Sequence, residues 1–327
     1  MRHLLRRIGF YLIALWASIT LNFFIPRLAP GSPATALMAR FQGRIDPQAL
    51  QSLEIQFGVS HDPLWIQYFQ YLNNLFHGNL GTSVTYFPSP VNAVIAQQMP
   101  WTLVLATVAL LISFTLGSLL GALVAWKRGS FLDSVVPPLL AFFSAIPYFY
   151  LALILLYVLG FMLDLFPLHG GYDISVVPGW SPDFIFSAVQ HALLPAFSSV
   201  LASMSGWVMG MRNSMITTLS EDYVLMAQAK GLPERRVMLR YAARNAILPN
   251  ITGFAISLGF AVAGLLLVEM VFSYPGIGFS LLQAVQQSDY ALMQGIFLFI
   301  TVAVLAANFL ADLAYAILDP RVRQQRS

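Results

Sequence analysis

"SEDYVLMAQAKGLPERR", Ser220–Arg236, is the most polar stretch in the second half of an otherwise apolar chain. It has its own start and stop. Ser220 is a good N-cap, Glu221 and Asp222 put negative charge at the positive end of a helix dipole, Lys230 sits at the negative end, and Gly231 ends the helix. Ten residues at 1.5 Å rise make a helix of about 15 Å, too short to persist alone in water. The pattern therefore predicts a helix that packs against another body. Ala227, Ala229 and Gly231 keep a surface short enough for close approach, while Tyr223, Val224 and Met226 offer apolar contacts. Pro233 then turns the chain into "ERRVMLRYAARNAILP" (234–249), where Arg236, Arg240 and Arg244 recur every four residues along one face. Taken alone, that row reads as a face for anionic lipid headgroups. Such a reading leaves the capped alanine-glycine helix unexplained.

On both sides the chain is apolar. It has 327 residues, 58% hydrophobic and 9% charged, with a mean hydropathy of +0.71, against about 25% charged in soluble proteins. Segments 8–26, 101–126, 135–163, 192–215, 247–272 and 295–318 each approach or exceed the roughly 20 apolar residues that cross about 30 Å of hydrocarbon. The expected fold is an all-α integral membrane protein, one transmembrane domain over 1–327 with six spans. Residues 27–100 form an outside region and 216–246 an inside loop. The fourth segment, "HALLPAFSSVLASMSGWVMGM" (191–211), is rich in Ser and Gly and carries Pro195, which suits a bundle interior. Gly117 and Gly121 in "LGSLLGA" form a small-xxx-small pair for close helix packing. Pro147 and Pro195 are expected to bend their helices.

Orientation follows from the basic residues. With the N-terminus inside and six spans threaded, Arg2, Arg6, Arg7, Lys127, Arg128, Arg212, Lys230, Arg235, Arg236, Arg240, Arg244, Arg321, Arg323 and Arg326 fall inside, and Arg27, Arg40 and Arg44 outside: 14 against 3. This positive-inside bias predicts that both termini are cytoplasmic. The first segment also has the basic flank of a signal peptide, "MRHLLRR", and "ATA" (34–36) resembles a cleavage site. Its apolar run is longer than the 7–15 residues typical of a signal peptide, which favours an uncleaved span.

The outside region carries two amphipathic helix patterns. "DPQALQSLEIQFG" (46–58) has Asp46 as N-cap, Pro47 at the first position and Gly58 as stop; "HDPLWIQYFQYLNNLFHG" (61–78) uses Asp62 and Pro63 in the same way. In the second, Leu64, Trp65, Tyr68, Phe69, Leu72 and Phe76 share a face. Both a helix lying in the bilayer interface and a docking surface fit that face.

Several chemistries are excluded. There is no cysteine, hence no disulfide or thiolate site. The only lysines, Lys127 and Lys230, follow Trp126 and Ala229, so neither belongs to a GxxxxGK[ST] phosphate loop. His3, His61, His77, His169 and His191 form no HExxH pair, and no GxSxG elbow occurs. A net charge of +3 is explained by topology, and no nucleic-acid partner is expected. Glu269 and Asp312 are the acidic residues in or near the spans. A charge at the bilayer centre costs about 3 kcal/mol, so each should face protein or water, with Asp312 pairing to a basic residue of the inner loops.

"EDYVLMAQAKGLPERRVMLRYAARNAILP" (221–249) resembles the cytoplasmic coupling loop of the permease subunits of ABC importers, in the peptide/nickel branch. The likeness covers nearly the whole chain: "RLAPGSPATALM" (27–38), "FGVSHDPLWIQYFQYLNNLFHGNLGTS" (57–83), "MPWTLVLA" (99–106), "SAIPYF" (144–149), "VEMVFSYPGIG" (268–278) and "LADLAYAILDPRVR" (310–323). There are departures. The family's Glu-Ala-Ala places, aligned on Gly231, hold Leu225, Met226 and Ala227, and the basic residues usual in this branch are replaced by Leu225 and Gln228. His169 in "FPLHGGY" stands where a small residue is usual.

The resemblance implies a type I importer permease fold and a five-part assembly: this subunit, a second homologous permease, two ABC ATPase subunits and an extracytoplasmic solute-binding protein, in the bacterial inner membrane. The chain would be non-catalytic and hold no cofactor, with ATP and Mg bound by the ATPases. The helix Glu221, Asp222, Tyr223, Val224, Met226, Ala227, Ala229, Lys230 and Gly231 would dock in an ATPase groove. Glu269, Phe272, Tyr274, Pro275 and Pro147 would lie near the gate or pathway; Glu269 reads equally as a carboxylate hydrogen-bonded at a helix end. The branch carries dipeptides and oligopeptides, with oligosaccharides or nickel chelates as alternatives. A secondary transporter, which often shows inverted repeats, and a membrane hydrolase, which needs a nucleophile-base pair, are the rival classes.

Overall fold

A computed structural model describes residues 2–28, 46 and 62–318. Among the described residues the α-helices longer than a single turn are α1 (Arg2–Leu28), α2 (Leu64–Phe76), α3 (Val91–Trp126), α4 (Phe131–Ala145), α5 (Tyr148–Leu155), α6 (Pro182–Leu219), α7 (Asp222–Ala229), α8 (Leu248–Gly264), α9 (Leu266–Val271), α10 (Ile277–Gln286) and α11 (Tyr290–Leu318). A wide π-turn segment, Leu156–Met162, continues α5. Another, Val237–Ala243, lies between the single turns Glu234–Arg236 and Arg244–Ala246. Among the described residues there is no strand, only one bridge between Thr82 and Pro90.

The fold is all-helical, as the composition predicts. Parts of α1, α3, α6 and α11 are each long and apolar enough to cross a membrane, and α4 with the helix after it makes a fifth if the bent pair counts as one span. The third segment bends at Pro147, as expected, and goes further: it breaks at Ile146–Pro147 and turns through 98°. Pro147 has no N–H to donate, and steric clash with its ring drives Ile146 to φ −80°, ψ 126°, outside the helical region. Pro195, by contrast, stays inside the continuous α6, where the Ser198 and Ser199 hydroxyls donate to its carbonyl at 2.8 and 3.0 Å. The expected fifth span is also interrupted, at Leu265, between α8 and α9.

Boundaries move outward elsewhere. The second and fourth spans begin ten residues early, α3 at Val91 and α6 at Pro182. Ser181 caps α6 by accepting from the Phe184 N–H at 3.3 Å, with Pro182 in the first turn. The second amphipathic helix starts one residue later than expected, with Pro63 as cap, and the Asp62 carboxylate accepts from Gln70 at 3.4 Å. The first amphipathic pattern lies outside the described residues but for Asp46, as do 29–45 and 319–327.

The chain divides into two compact units, 1–102 with 275–327, and 103–274. In the first, α1 packs along α11, with Tyr11 edge-on to Phe309 at 5.7 Å, and α10 packs on α11. Its core includes Val91, Ile95, Ile277, Ala284, Leu292 and Ile296. In the second, α6 is the central rod, touched by α4, α5, α7, α8 and α9. At 38 residues it is about 57 Å long. The glycine pair is a genuine close approach: a Cβ on Gly117 would meet the Trp207 Cβ at 2.5 Å, and one on Gly121 the Val208 carbonyl oxygen at 2.5 Å.

Candidate functional site

The short helix exists as α7, eight residues long, with a corrected start. Ser220 belongs to the end of α6, its hydroxyl donating to the Thr217 carbonyl at 2.7 Å, and Glu221 takes the cap position in extended backbone. The stop is as expected. Gly231 has φ +72°, and nothing lies within 4 Å of where its Cβ would stand, so the dihedral alone demands glycine. Its N–H donates to the Gln228 carbonyl at 2.9 Å and the Leu232 N–H to that of Ala227 at 3.4 Å, the paired bonds of a Schellman ending.

α7 has an inner and an outer face. Val224 and Ala227, three residues apart, are buried at 0% and 3% exposure in one apolar cluster. That cluster joins Met211 and Met215 of α6, Ala122 and Ala125 of α3, and Val237, Ala242 and Ala246 of the basic segment. This corrects the expectation that Val224 and Ala227 serve an outside partner. An eight-residue helix cannot stand alone, and these two side chains fix it to its own subunit. The exposed face is Tyr223, Leu225, Met226, Gln228 and Ala229, flanked by exposed Glu221, Asp222 and Lys230. Tyr223 is held by Asn245, whose amide donates to its hydroxyl at 2.8 Å. Arg236, Arg240 and Arg244 are exposed and, among the described residues, make no ion pair.

Two polar links tie the helices around this cluster. Arg212 of α6 grips Asp133 of α4 with Nε at 2.8 Å and a terminal nitrogen at 2.7 Å, while the Gly129 N–H donates to the other carboxylate oxygen at 3.0 Å. Buried Asn250 of α8 donates to Ser118 Oγ of α3 at 3.1 Å and to the Trp207 carbonyl of α6 at 3.0 Å. In an apolar setting such bonds fix the mutual register of helices.

Of the other candidates, Glu269, Phe272 and Tyr274 come together at the end of α9, each at most 2% exposed. The Tyr274 N–H donates to the Glu269 carbonyl at 2.9 Å and the Ser273 N–H to that of Met270 at 3.3 Å, with Ser273 at φ 47°. This is again a Schellman ending, with serine where glycine is usual. Burial, reinforced by the Glu269 carboxylate, pushes the Tyr274 phenol above its ordinary range. α9 packs on α5, which Pro147 caps, and the Gly170 N–H donates to the Phe272 carbonyl at 3.0 Å. Pro147 itself is exposed, as is His169. Pro275 begins the segment that belongs to the other unit. Asp312 falls in α11, where its side chain is outside the description.

Sequence reading missed Asp289. It is fully buried, accepts from Ser83 Oγ at 2.6 Å and the Thr85 N–H at 2.9 Å, and caps α11 by accepting from the Leu292 N–H at 3.0 Å. The same loop is fastened by Tyr86, whose hydroxyl donates to Gln283 at 2.6 Å. An aspartate just before an apolar helical run was the available signal. Among the described residues no group of three or more metal-ligating side chains gathers.

Comparison with known proteins gives the family. Residues 117–324 match the family described as "Binding-protein-dependent transport system inner membrane component". The dipeptide transport system permease protein DppB of Lactococcus lactis is 32% identical, over 98% of this chain and 99% of its own. The oligopeptide transport system permease protein AppB of Bacillus subtilis is 34% identical, over 92% and 93%. The di/tripeptide transport system permease protein DppB of Pseudomonas aeruginosa is 34% identical, over 98% of each. Helices of membrane-crossing length, a self-anchored surface helix and full-length likeness to these permeases agree: the chain belongs to the family of inner membrane components of binding-protein-dependent transport systems.

Proposed function

We propose that this chain is the membrane-spanning permease subunit of an ATP-driven importer of di- and oligopeptides. With a second, homologous permease it forms the pathway across the inner membrane; two ABC ATPases drive it and an extracytoplasmic binding protein delivers the solute. The transport roles in the names of its relatives support the peptide assignment. The observation that carries the coupling role is the two-sidedness of α7. Val224 and Ala227 are sunk in the subunit's own core, while Tyr223, Leu225, Met226 and Ala229 remain open. A handle needs both an anchored side and a free one.

In this reading α8 and α9 together make the fifth of six crossings, both termini are cytoplasmic, residues 27–100 are extracytoplasmic, and ATP with Mg is bound only by the ATPases. Closure of the ATPases draws the paired coupling helices together and opens the pathway outward. Glu269, Phe272, Tyr274, Pro275 and Pro147 belong to the gate region. Glu269→Gln should therefore reduce uptake at unchanged assembly, and unchanged uptake removes Glu269 from that role.

The test uses the chain's lack of cysteine. Single cysteines at Met226 and Ala229 should crosslink to cysteines in the groove of a co-expressed ATPase, with a yield that changes with ATP. Cysteines at Val224 and Ala227 should not. Absence of crosslinks from Met226 and Ala229 in a transport-competent complex would overturn the coupling assignment.

A further inference from the structure

Among the described residues the exposed apolar stripe of α2 has no partner, and its position on α1 identifies what covers it. One side of α2 is taken up by α1. Tyr68 lies edge-on to Phe23 at 5.3 Å and stacks with Phe24 at 6.3 Å, its hydroxyl is 2.8 Å from Thr20 Oγ1, and Tyr71 lies 5.6 Å from Phe23. Gln67 accepts from Arg27 at 3.3 Å, and the Arg27 guanidinium lies 3.7 Å over the Phe23 ring. Next to that contact runs a second apolar stripe, Trp65, Phe69, Leu72 and Phe76, spaced along one side of the helix. Trp65 is 65%, Phe69 64% and Phe76 86% exposed. The remaining arc is polar and exposed, with Gln70, Asn73 and Asn74.

We propose that this stripe is inserted into the lipid bilayer, so that α2 is an interfacial helix clamped to the outer end of the first span. This rests on the reading of the chain as membrane-spanning. Two observations select lipid. First, the stripe continues the apolar surface of α1 itself, where Leu21, Phe24, Ile25 and Leu28 are exposed along the same end of the helix. A helix that crosses the membrane with such a surface presents it to acyl chains.

Second, the depth agrees. The candidate span Ile8–Leu28 has 21 residues, about 31 Å at 1.5 Å each, close to the hydrocarbon thickness of about 30 Å. Tyr68 meets α1 at Thr20, Phe23 and Phe24, four to eight residues before Leu28, or about 6–12 Å inside the end of the span. Interfacial helices bury their apolar face about 5–10 Å into the headgroup and acyl boundary. The polar arc then faces the headgroups, and Trp65 takes the interfacial level that tryptophan favours.

The test is a nitroxide accessibility scan on the assembled transporter in phospholipid vesicles, with cysteine-free partner subunits. Single cysteines replace Trp65, Phe69 and Phe76 on the stripe and Gln70, Asn73 and Asn74 on the polar arc. The expected result is accessibility to oxygen above that to a water-soluble nickel chelate on the stripe, with the order reversed on the arc. Access to the chelate on both arcs means a water-exposed helix and overturns the proposal. Low access to both agents on the stripe means that a protein covers it, which overturns it equally. Six labelled positions keep the pattern readable if one substitution disturbs assembly, and α7 crosslinking tests the transport assignment independently.

Discussion

Gly121→Ala should loosen the chain at the junction of α3 and α6. A Cβ at Gly121 would stand 2.5 Å from the Val208 carbonyl oxygen, 2.8 Å from the Met211 Cβ and 3.2 Å from the Arg212 nitrogen. Ordinary contact begins near 3.4 Å, a shortfall of 0.9 Å at the closest atom. Two of the three atoms are backbone of α6, so no side chain can rotate away, and the helices must separate. A radial gap of that size removes a quarter to a half of each dispersion contact along the seam. Overpacking of this kind costs about 1–3 kcal/mol. Alanine returns about 1 kcal/mol of helix propensity, which leaves a net loss of up to about 2 kcal/mol.

The control is Gly206→Ala on α6, where a new Cβ meets nothing within 4 Å. It should be neutral or mildly stabilising. Thermal unfolding of the assembled complex in detergent, followed by size-exclusion chromatography, reads both variants. Equal midpoints for Gly121→Ala and Gly206→Ala would refute the close-approach argument. Because α6 leads directly into α7, the same displacement should also lower uptake per assembled complex.

Three further outcomes are expected from the same kind of reasoning. Asp289→Ala orphans the Thr85 and Leu292 N–H groups and the Ser83 hydroxyl and should cost about 3 kcal/mol in thermal or denaturant unfolding; wild-type stability would show that the loop is not clamped there. Ser273→Gly relieves a non-glycine residue at φ 47° and should raise stability by about 1 kcal/mol, whereas a loss would mean that the serine side chain has a role beyond the turn. Asp133→Asn and Arg212→Gln should each lower stability, and the double variant should fall by less than the sum because one ion pair is lost only once; strict additivity would mean that the pair contributes nothing.

Length and hydropathy were enough for the helical class, and caps were enough for α7, because Gly231 and the acidic first turn act within one turn of chain. What the sequence hides is tertiary. The one-residue shift from Ser220 to Glu221 depends on how α6 ends, with the Ser220 hydroxyl turned back to Thr217. The inward role of Val224 and Ala227 depends on Met211, Met215, Val237 and Ala242, which lie on other elements. A proline was visible at both 147 and 195, yet one breaks a span and the other sits in a continuous helix. The difference lies in the preceding residue's backbone, which leaves the helical region at Ile146 and stays helical before Pro195. Asp289 escaped because its partners Ser83 and Thr85 are some 200 residues away.

The cluster around Val224 and Ala227 has a mechanical side. Elements joined in series deform first at the softest one, and a short surface helix on a floppy tether would absorb a pull as slack. Here α7 shares one close-packed body with the ends of α3 and α6, and Arg212 bolts α4 to the same rod. Packed interiors have low compressibility and transmit strain, so a displacement applied to α7 is carried into those helices. The helical ladder is interrupted at Ile146–Pro147 and at Leu265, where fewer backbone bonds resist bending. In the proposed coupling role of α7, stiffening either break should alter uptake while leaving crosslinking of Met226 and Ala229 to the ATPase unchanged.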